Sequence, residues 1–439
     1  MLVSVDKTTL SYAAVFDLRE DTHLHGSQYS WLGAIFYVGY FAWEYPTNLL
    51  LQKLPIAKYL SLTVFMWGLV LMCHAACDNF ASLAAVRTFL GVFECTTNPA
   101  AILLCAMWYK RADQPFKLGI WNACGGLAYI LAGIASFGIG HIHASIASWR
   151  FIFLLFGAFT VLWSFVLWFC LPASPFTATF LTEAERACVI DQVKDNRTGI
   201  ENRQFKKDQF IETLKDAKTW LLFAFAIASN CPNGGLTTFS GLIIKQMGFN
   251  QLQTTLIGMP TGAVQFIAVL TGTFIASSRP NLRCITMMIF LVPFLAGIIG
   301  IHILHESHRW GRAACLWIAY TYTATWTLSM SVLIGNTAGH TKKTTTSAIH
   351  FMGYCLGNFL GPFFFLSRQA PAYPLGWGMM FFCVAVQFVL IAGILALLYW
   401  RNRTRDQAFA REGKHLANPD EDGLLDLTDL KNENFRYVL

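Results

Sequence analysis

Long apolar runs alternate with short polar breaks along the chain. Bounded by charge, Pro or Gly, they predict helices near 28–52, 59–77, 80–108, 117–140, 150–171, 219–243, 252–277, 284–304, 312–336, 344–366 and 376–400. Leu118–Trp149, Phe151–Pro172, Gln246–Ser278 and Ala313–His340 contain no Asp, Glu, Lys or Arg at all. A soluble core does not need such tracts, whereas a helix crossing a bilayer needs about 20 apolar residues. The pattern is that of an all-α polytopic membrane protein in contact with the lipid bilayer. Met1–Leu18 is apolar at both ends but holds Asp6 and Lys7. Without a basic start and an unbroken apolar centre it is no ordinary signal peptide. It reads as the second half of a first membrane helix, truncated at the N-terminus, which makes 439 residues look short.

Composition sharpens the division of the chain. The sequence is 55% hydrophobic and 13% charged, against about 25% charged in a soluble average. Eight acidic and eight basic residues crowd into 173–218. This divides the chain into a helical half over 1–172, a linker over 173–218, a second helical half over 219–400 and a polar tail over 401–439, expected to be ordered only in part. Within the linker, Leu181–Val193 reads as a surface helix with Thr182 as N-cap and Glu185 three residues on. In the short loops, twelve Lys and Arg fall on the linker side (Lys110 and Arg111 among them) and six on the other. That asymmetry places the linker and C-terminus in the cytoplasm of a multi-pass protein expected in the plasma membrane. Asn196-Arg197-Thr198 and Asn402-Arg403-Thr404 match the glycosylation triplet but fall on the cytoplasmic side, so neither is expected to be used.

Other functional classes find no support. The net charge of +7 is spread over loops and forms no basic face for nucleic acid. The cysteines sit mostly in apolar runs, with no Cys-x-x-Cys and no zinc spacing, so they read as small hydrophobes. No nucleophile–base or metal-ligand set suggests an enzyme, a metal site or a cofactor.

The informative residues are those that do not belong in lipid, each costing about 2.5–3.5 kcal/mol at a helix centre. They are Asp6, Lys7, Glu44, Arg87, Glu94 and His350. Arg87 and Glu94 lie seven apart, so an ideal helix brings them to one face roughly 10.5 Å apart. They are too distant to pair directly, but both can line one cavity. Gly91 between them keeps that face thin. Arginine offers a planar fork for a carboxylate, and a desolvated glutamate can carry a proton near neutral pH. The plainer readings are an Arg87 that snorkels or tethers helices by pairing with Asp6, and a protonated packing role for Glu94. Glu44 reads as a helix tether, and His350 as an interior hydrogen-bonded histidine before a proton relay. Asn230-Cys231-Pro232-Asn233-Gly234-Gly235 predicts a helix break with freed backbone groups, tolerable only against protein or a water-filled cavity. Asn98-Pro99, Met259-Pro260 and Gly357-Asn358-Phe359-Leu360-Gly361-Pro362 read similarly. This adds Asn230, Asn233 and Asn358 to the candidates. Trp317, Tyr320, Tyr322 and Trp326 form an aromatic stripe in which packing is the better reading of any single member.

Seven stretches carry a resemblance: residues 6–40, 44–60 (EYPTNLLLQKLPIAKYL), 87–94 (RTFLGVFE), 108–121 (WYKRADQPFKLGIW), 232–249, 341–362 and 426–439 (DLTDLKNENFRYVL). In this order, and over nearly the whole length, the chain resembles the major facilitator superfamily, and within it the fungal allantoate permease group of anion:cation symporters. The resemblance implies twelve helices in two six-helix halves, alternating access, and a monomer. It also implies that an acidic–basic pair on helix one and an Arg-x6-Glu pair on helix four serve the anion and its proton. Asp6, Lys7, Arg87 and Glu94 occupy those positions, Lys7 where relatives often have arginine. KLPIAK stands where the wider superfamily has a Gly-x3-Asp gating loop, as it does in this group. Drug–proton antiporters tend to carry Gly-Pro-x2-Gly-Gly on helix five, and 117–140 contains no proline. The expectation is proton-coupled uptake of a small organic anion of carboxylate, vitamin or ureide type, driven by the proton gradient with no bound cofactor. An exporter of the same fold, or a transport-inactive paralogue or sensor, is the alternative.

Overall fold

In a computed structural model, which describes residues 1–109, 114–142, 146–172, 174, 178, 180–194, 206–279, 281–412 and 427–439, every predicted span is helical. The helices before the linker are α1 Leu2–Val15, α2 Leu18–Asp21, α3 Gln28–Lys53, α4 Ile56–Cys73, α5 Phe80–Glu94, α6 Thr97–Trp108, α7 Gln114–Ile139 and α8 Ser148–Cys170. The linker contributes α9 Glu183–Lys194 and α10 Lys207–Lys215. After it come α11 Ala217–Gln246, α12 Gln251–Ile257, α13 Met259–Ser278, α14 Arg283–Ile303, α15 Arg309–Ala319, α16 Tyr322–Gly335, α17 His340–Leu360 and α18 Pro374–Glu412. No strand occurs among the described residues. Lys110, Arg111 and the triplet Asn196-Arg197-Thr198 lie outside them.

Seven described stretches are long and apolar enough to cross a membrane: α4, α5–α6, α7, α8, α12–α13, α14 and α18. The helices below that standard (α1, α3, α11, α15–α16 and α17) are the more polar or shorter ones. α1, α3, α11 and α17 pack against one another at the centre.

Proline sets the local geometry. The expected break in the seventh span does not occur, since α11 runs unbroken through Pro232. Proline lacks an N–H and so leaves the carbonyl four residues back unbonded. That carbonyl is Ala228 O, and the fully buried Gln387 of α18 donates its Nε2–H to it at 3.1 Å. A side chain 159 residues away replaces the missing bond. In the fourth and eighth spans the break is real but lies ahead of the proline, at Cys95–Thr96 and at Gly258. Pro99 and Pro260 then occupy first turns, where the absent N–H costs nothing. Thr182 and Glu185 form the reciprocal cap expected at α9, with Thr182 N donating to Glu185 Oε2 at 2.9 Å. No two of the twelve cysteines form a disulfide.

The helices before and after the linker meet on two flanks. Along α7 and α13 the approach is backbone to backbone. A Cβ on Gly126 would collide with Gly262 O, and one on Gly262 with Gly126 O. On the other flank α3 meets α17, and α1 meets α11. The polar and aromatic closures cluster on the side away from the linker. Lys245 pairs with Asp17 at 3.0 Å, Gly241 N donates to Ser11 Oγ at 2.9 Å, and Tyr29 donates to Thr238 O at 2.7 Å. Trp31 packs edge-on against Phe359 and Phe363. Ring contacts between α3 and α17 continue to Tyr40–Phe351. Beyond it, towards the linker, Phe41, Trp43 and Tyr45 of α3 are exposed.

Candidate substrate site

Between the two sets of helices, at the depth of Tyr40 and Tyr354, the structure gathers most of the sequence candidates. The face of α5 bearing Arg87, Gly91 and Glu94 is buried. Gly91 is there because α3 passes too close for a side chain: an added Cβ would collide with Phe36 O and stand 2.8 Å from Tyr40 N. The Arg-x6-Glu spacing therefore does place both charges on one buried face.

The pairing across α1 is specific. Lys7 Nζ stands 3.3 Å from Glu94 Oε1 and donates to Tyr354 Oη at 3.1 Å. Its ammonium lies over the rings of Phe36, Tyr40 and Tyr354, 5.5–5.8 Å from their centroids, where each cation–π contact adds about 1–2 kcal/mol when desolvated. Lys7 therefore bridges α1, α5, α3 and α17. Its side chain is 17% exposed while that of Glu94 is fully buried. Asp6, the neighbour of Lys7, turns the other way. It is completely buried, neither carboxylate oxygen makes a hydrogen bond, and Glu94, Trp67 and Arg87 are the groups its charge meets.

Arg87, like Asp6, is buried and short of hydrogen-bond partners. It is 3% exposed, and its Nε and Nη2 have no hydrogen-bond partner. Tyr29, Glu94, Asp6 and Tyr37 surround it electrostatically. The snorkelling reading is excluded by this burial. A buried ion without ideal partners is costly by several kcal/mol, so the arrangement is not one that stability alone explains.

The asparagines assemble on the opposite wall. Asn233 Nδ2 donates to Asn358 Oδ1 at 2.7 Å, and Asn358 Nδ2 donates to Asn230 Oδ1 at 3.3 Å and to Tyr354 O at 2.9 Å. Tyr322 donates to Asn233 Oδ1 at 2.7 Å. The three amides thus form one chain joining α11 to α17. Small residues let the two helices approach: a Cβ on Gly234 would collide with Asn358 O, and one on Gly361 with Cys231 O.

His350 stands apart from this set. Its Nδ1 lies 3.0 Å from Leu222 O and its Nε2 3.2 Å from Ser329 Oγ, and the ring stacks on Trp326 at 4.9 Å. Both nitrogens are occupied, which fits the interior reading. Glu44 is half-buried with one carboxylate oxygen lacking a partner.

The chain matches the Major Facilitator Superfamily over residues 1–362. It is 35% identical to the uncharacterized transporter C757.13 of Schizosaccharomyces pombe over all of this chain and 83% of that protein. It is 32% identical to the allantoate permease of Saccharomyces cerevisiae, covering 99% of this chain and 82% of that one. The chain belongs to the major facilitator superfamily. Among solved structures, a bacterial homolog of the human lysosomal transporter Spinster, inward-facing and unoccupied, superposes with a TM-score of 0.65 at 17% identity, covering 90% of this chain and 94% of that one. That likeness concerns the fold. As a major facilitator protein of the allantoate permease group, the chain is a multi-pass membrane transporter of small molecules and not an enzyme.

The aromatic lining of this facilitator site was not legible as such. Phe36, Tyr37 and Tyr40 of α3 and Tyr354 of α17 surround Lys7. In the sequence they are four of many aromatics in apolar runs. The available signal is their spacing, because 36, 37 and 40 share a helix face. From the stripe, Tyr322 and Trp326 reach the site through Asn233 and Tyr354. Trp317 instead donates to Ile257 O at 2.8 Å and only packs.

Proposed function

We propose that this protein is a proton-coupled symporter that takes up a small organic anion by alternating access, from the side closed here by Lys245–Asp17 and Trp31 to the linker side. One observation carries the reading: a buried Arg87 guanidinium with two nitrogens lacking hydrogen-bond partners, one helical face along from the Lys7–Glu94 pair. An anionic cargo supplies what Arg87 lacks, as a planar carboxylate accepts two N–H bonds from one guanidinium.

Coupling follows from competition for Lys7. While Glu94 is ionised it holds Lys7 at 3.3 Å. A proton on Glu94 removes that attraction and leaves the ammonium for the cargo. Proton and anion therefore favour each other's binding, which is the reciprocity symport requires. The asparagine chain of α11 and α17 supplies hydrogen-bond donors and acceptors for the uncharged part of the cargo. No bound cofactor enters, as the proton gradient is the driving force. The similarity to an allantoate permease, named for an anion, supports the cargo class. The excess of Lys and Arg on the linker side supports a cytoplasmic linker and C-terminus, in the plasma membrane.

The test is uptake of radiolabelled small carboxylates, allantoate first, into cells expressing the protein, with and without a protonophore. The expected result is accumulation abolished by protonophore, and Glu94→Gln retaining exchange while losing accumulation. Uptake indifferent to both would remove Glu94 from coupling, and net efflux under the same gradient would make the protein an exporter.

A further inference from the structure

The end of the chain is docked, not loose. Residues 427–439 lie across the linker-side helix ends, held by Glu212 of α10, Lys218 of α11, the Arg283 N–H that opens α14, Asn336 just after α16, Lys342 of α17 and Asn402 of α18. Asp429 is completely buried and sits between two buried lysines, with Lys218 Nζ 2.9 Å from its Oδ2 and Lys342 Nζ 2.9 Å from its Oδ1. Lys342 also meets Glu212 of α10 at 2.9 Å and Asp216, the N-cap of α11, at 3.0 Å. Arg401 of α18 meets Asp216 at 2.7 Å. Three cations thus face three carboxylates in one cage, and a single carboxylate of the tail completes the balance. Lys218 and Lys342 have fully buried side chains. Without Asp429 they would share Asp216 and Glu212 with Arg401, leaving one buried cation uncompensated.

The rest of the segment is tied by backbone. Val438 N donates to Asn336 Oδ1 at 2.7 Å, and Asn336 Nδ2 donates back to Val438 O at 2.8 Å. Leu439 N donates to Asn281 Oδ1, and Arg283 N donates to Leu439 O at 2.9 Å. Tyr437 N donates to Asn402 Oδ1, and Asn402 Nδ2 donates to Tyr437 O at 2.8 Å. The Asn402-Arg403-Thr404 triplet therefore has its asparagine committed to the tail. Tyr437 donates its hydroxyl to Asp429 Oδ2 at 2.9 Å. Its ring lies beneath Lys218, Arg401 and Arg405, 5.0–5.6 Å from the centroid. Together these bonds reach the linker-side ends of α11, α14, α16, α17 and α18.

We propose that 427–439 is a strap with Asp429 as its pin, fastening the linker-side ends of α10, α11, α16, α17 and α18 and the start of α14 into one body. The consequence reaches the substrate wall, because α11 and α17 are joined in the middle by the asparagine chain and at the end by Lys218–Asp429–Lys342. With the strap seated, those helices swing together and keep their mutual register. With it released, their linker-side ends are free to separate. This holds whatever the cargo is.

The decisive experiment is hydrogen exchange by mass spectrometry on the full-length purified protein and on Asp429→Asn, which keeps the shape and removes the charge. In the parent, amides of Tyr437, Val438 and Leu439 should be protected although they belong to no helix. In Asp429→Asn these amides, and those of 206–220 and 336–345, should exchange on the order of a hundredfold faster or more, the scale expected for breaking a buried ion pair. Peptides from α1–α8 should be unchanged. Exchange of the tail within about twofold of the parent would overturn the proposal, as would a uniform increase through α1–α8. If Asp429→Asn does not yield folded protein, Tyr437→Phe removes one hydrogen bond to the same carboxylate. It should loosen the same three segments to a smaller degree, and an unchanged pattern there would also overturn the strap.

Discussion

Two clusters of buried charge, one around Arg87 and one around Asp429, obey opposite rules. In the cage at the tail, each cation has a carboxylate within 3 Å: Lys218 and Lys342 on Asp429, and Arg401 on Asp216. In the centre, Arg87 and Asp6 are equally buried, yet neither carboxylate oxygen of Asp6, nor Nε or Nη2 of Arg87, makes a hydrogen bond. Burial and charge are therefore not what distinguishes the two clusters, and unsatisfied atoms are not either, since Asp216 Oδ2 and Arg401 Nη1 of the cage also lack hydrogen-bond partners. Ion pairing is the difference: every cation of the cage is matched to a carboxylate, while Arg87 makes none of the ion pairs among the described residues. A fastening pairs its charges internally, and a transport site keeps one available to a partner that comes and goes.

The strongest test of this contrast compares methionine substitutions. Lys342→Met leaves Glu212, Asp216 and Asp429 crowded at one end of α17, and should lower stability by about 3–5 kcal/mol, read as a large fall in melting temperature in detergent. Arg87→Met removes an unsatisfied buried ion and should leave the melting temperature equal or higher while abolishing uptake. Equal destabilisation by the two would break the distinction.

Next in size is the proline-linked bond. Gln387→Leu leaves Ala228 O without a donor and should cost about 1–3 kcal/mol, visible as a lower melting temperature. No change would mean that the carbonyl of α11 is satisfied some other way.

The cage should also respond to acid in a defined direction. Burial alone would raise the Asp216 carboxyl, but the hydrogen bond from Arg401 and the charges of Lys218, Lys342 and Arg401 outweigh it and hold the group down at about 2. Asp429 is likewise buried, and is held below the usual carboxylate range by Lys218 and Lys342. A carboxyl whose folded value is depressed contributes stability that is fully present above its unfolded value of about 3.9 and lost as pH falls towards the folded one. Tail amides should therefore stay protected at pH 5 and above and lose protection between about pH 4 and about pH 2. Protection that instead fails near neutral pH would assign the fastening to groups other than these carboxylates. The smallest effect belongs to the exposed pair of Arg436 Nε with Asp406 at 2.9 Å. Asp406→Asn should change the melting temperature by no more than the measurement error, as exposed pairs contribute about 0–1 kcal/mol.

Much of this architecture was legible in the sequence, for physical reasons that also mark where reading stops. Uncharged tracts can only be membrane helices, so the spans could be counted. The seven-residue spacing of Arg87 and Glu94 dictates one helical face, which the structure keeps. Asn230 and Asn358 stand out because they sit in Pro- and Gly-rich runs that predict helix breaks. The break expected at Pro232 does not form, because its remedy, Gln387, lies in another span and leaves no local trace in the sequence. The nearness of Asp6 to Arg87 was among the readings open in the sequence, but the Lys7–Glu94 pair was hidden, a choice made by packing between helices. The tail looked like a polar appendage because Asp429 and Tyr437 reveal their role only once Lys218 and Lys342 are brought beside them.

The Gln387–Ala228 bond also carries a consequence for biosynthesis. A ribosome delivers α11 to the membrane long before it delivers α18, so the carbonyl freed by Pro232 must wait in a nascent intermediate until the last span arrives. The second set of helices therefore reaches its final form only after translation of the last membrane helix is complete. A chain interrupted ahead of Gln387 would leave α11 without its donor, and such a product is a natural target for quality control.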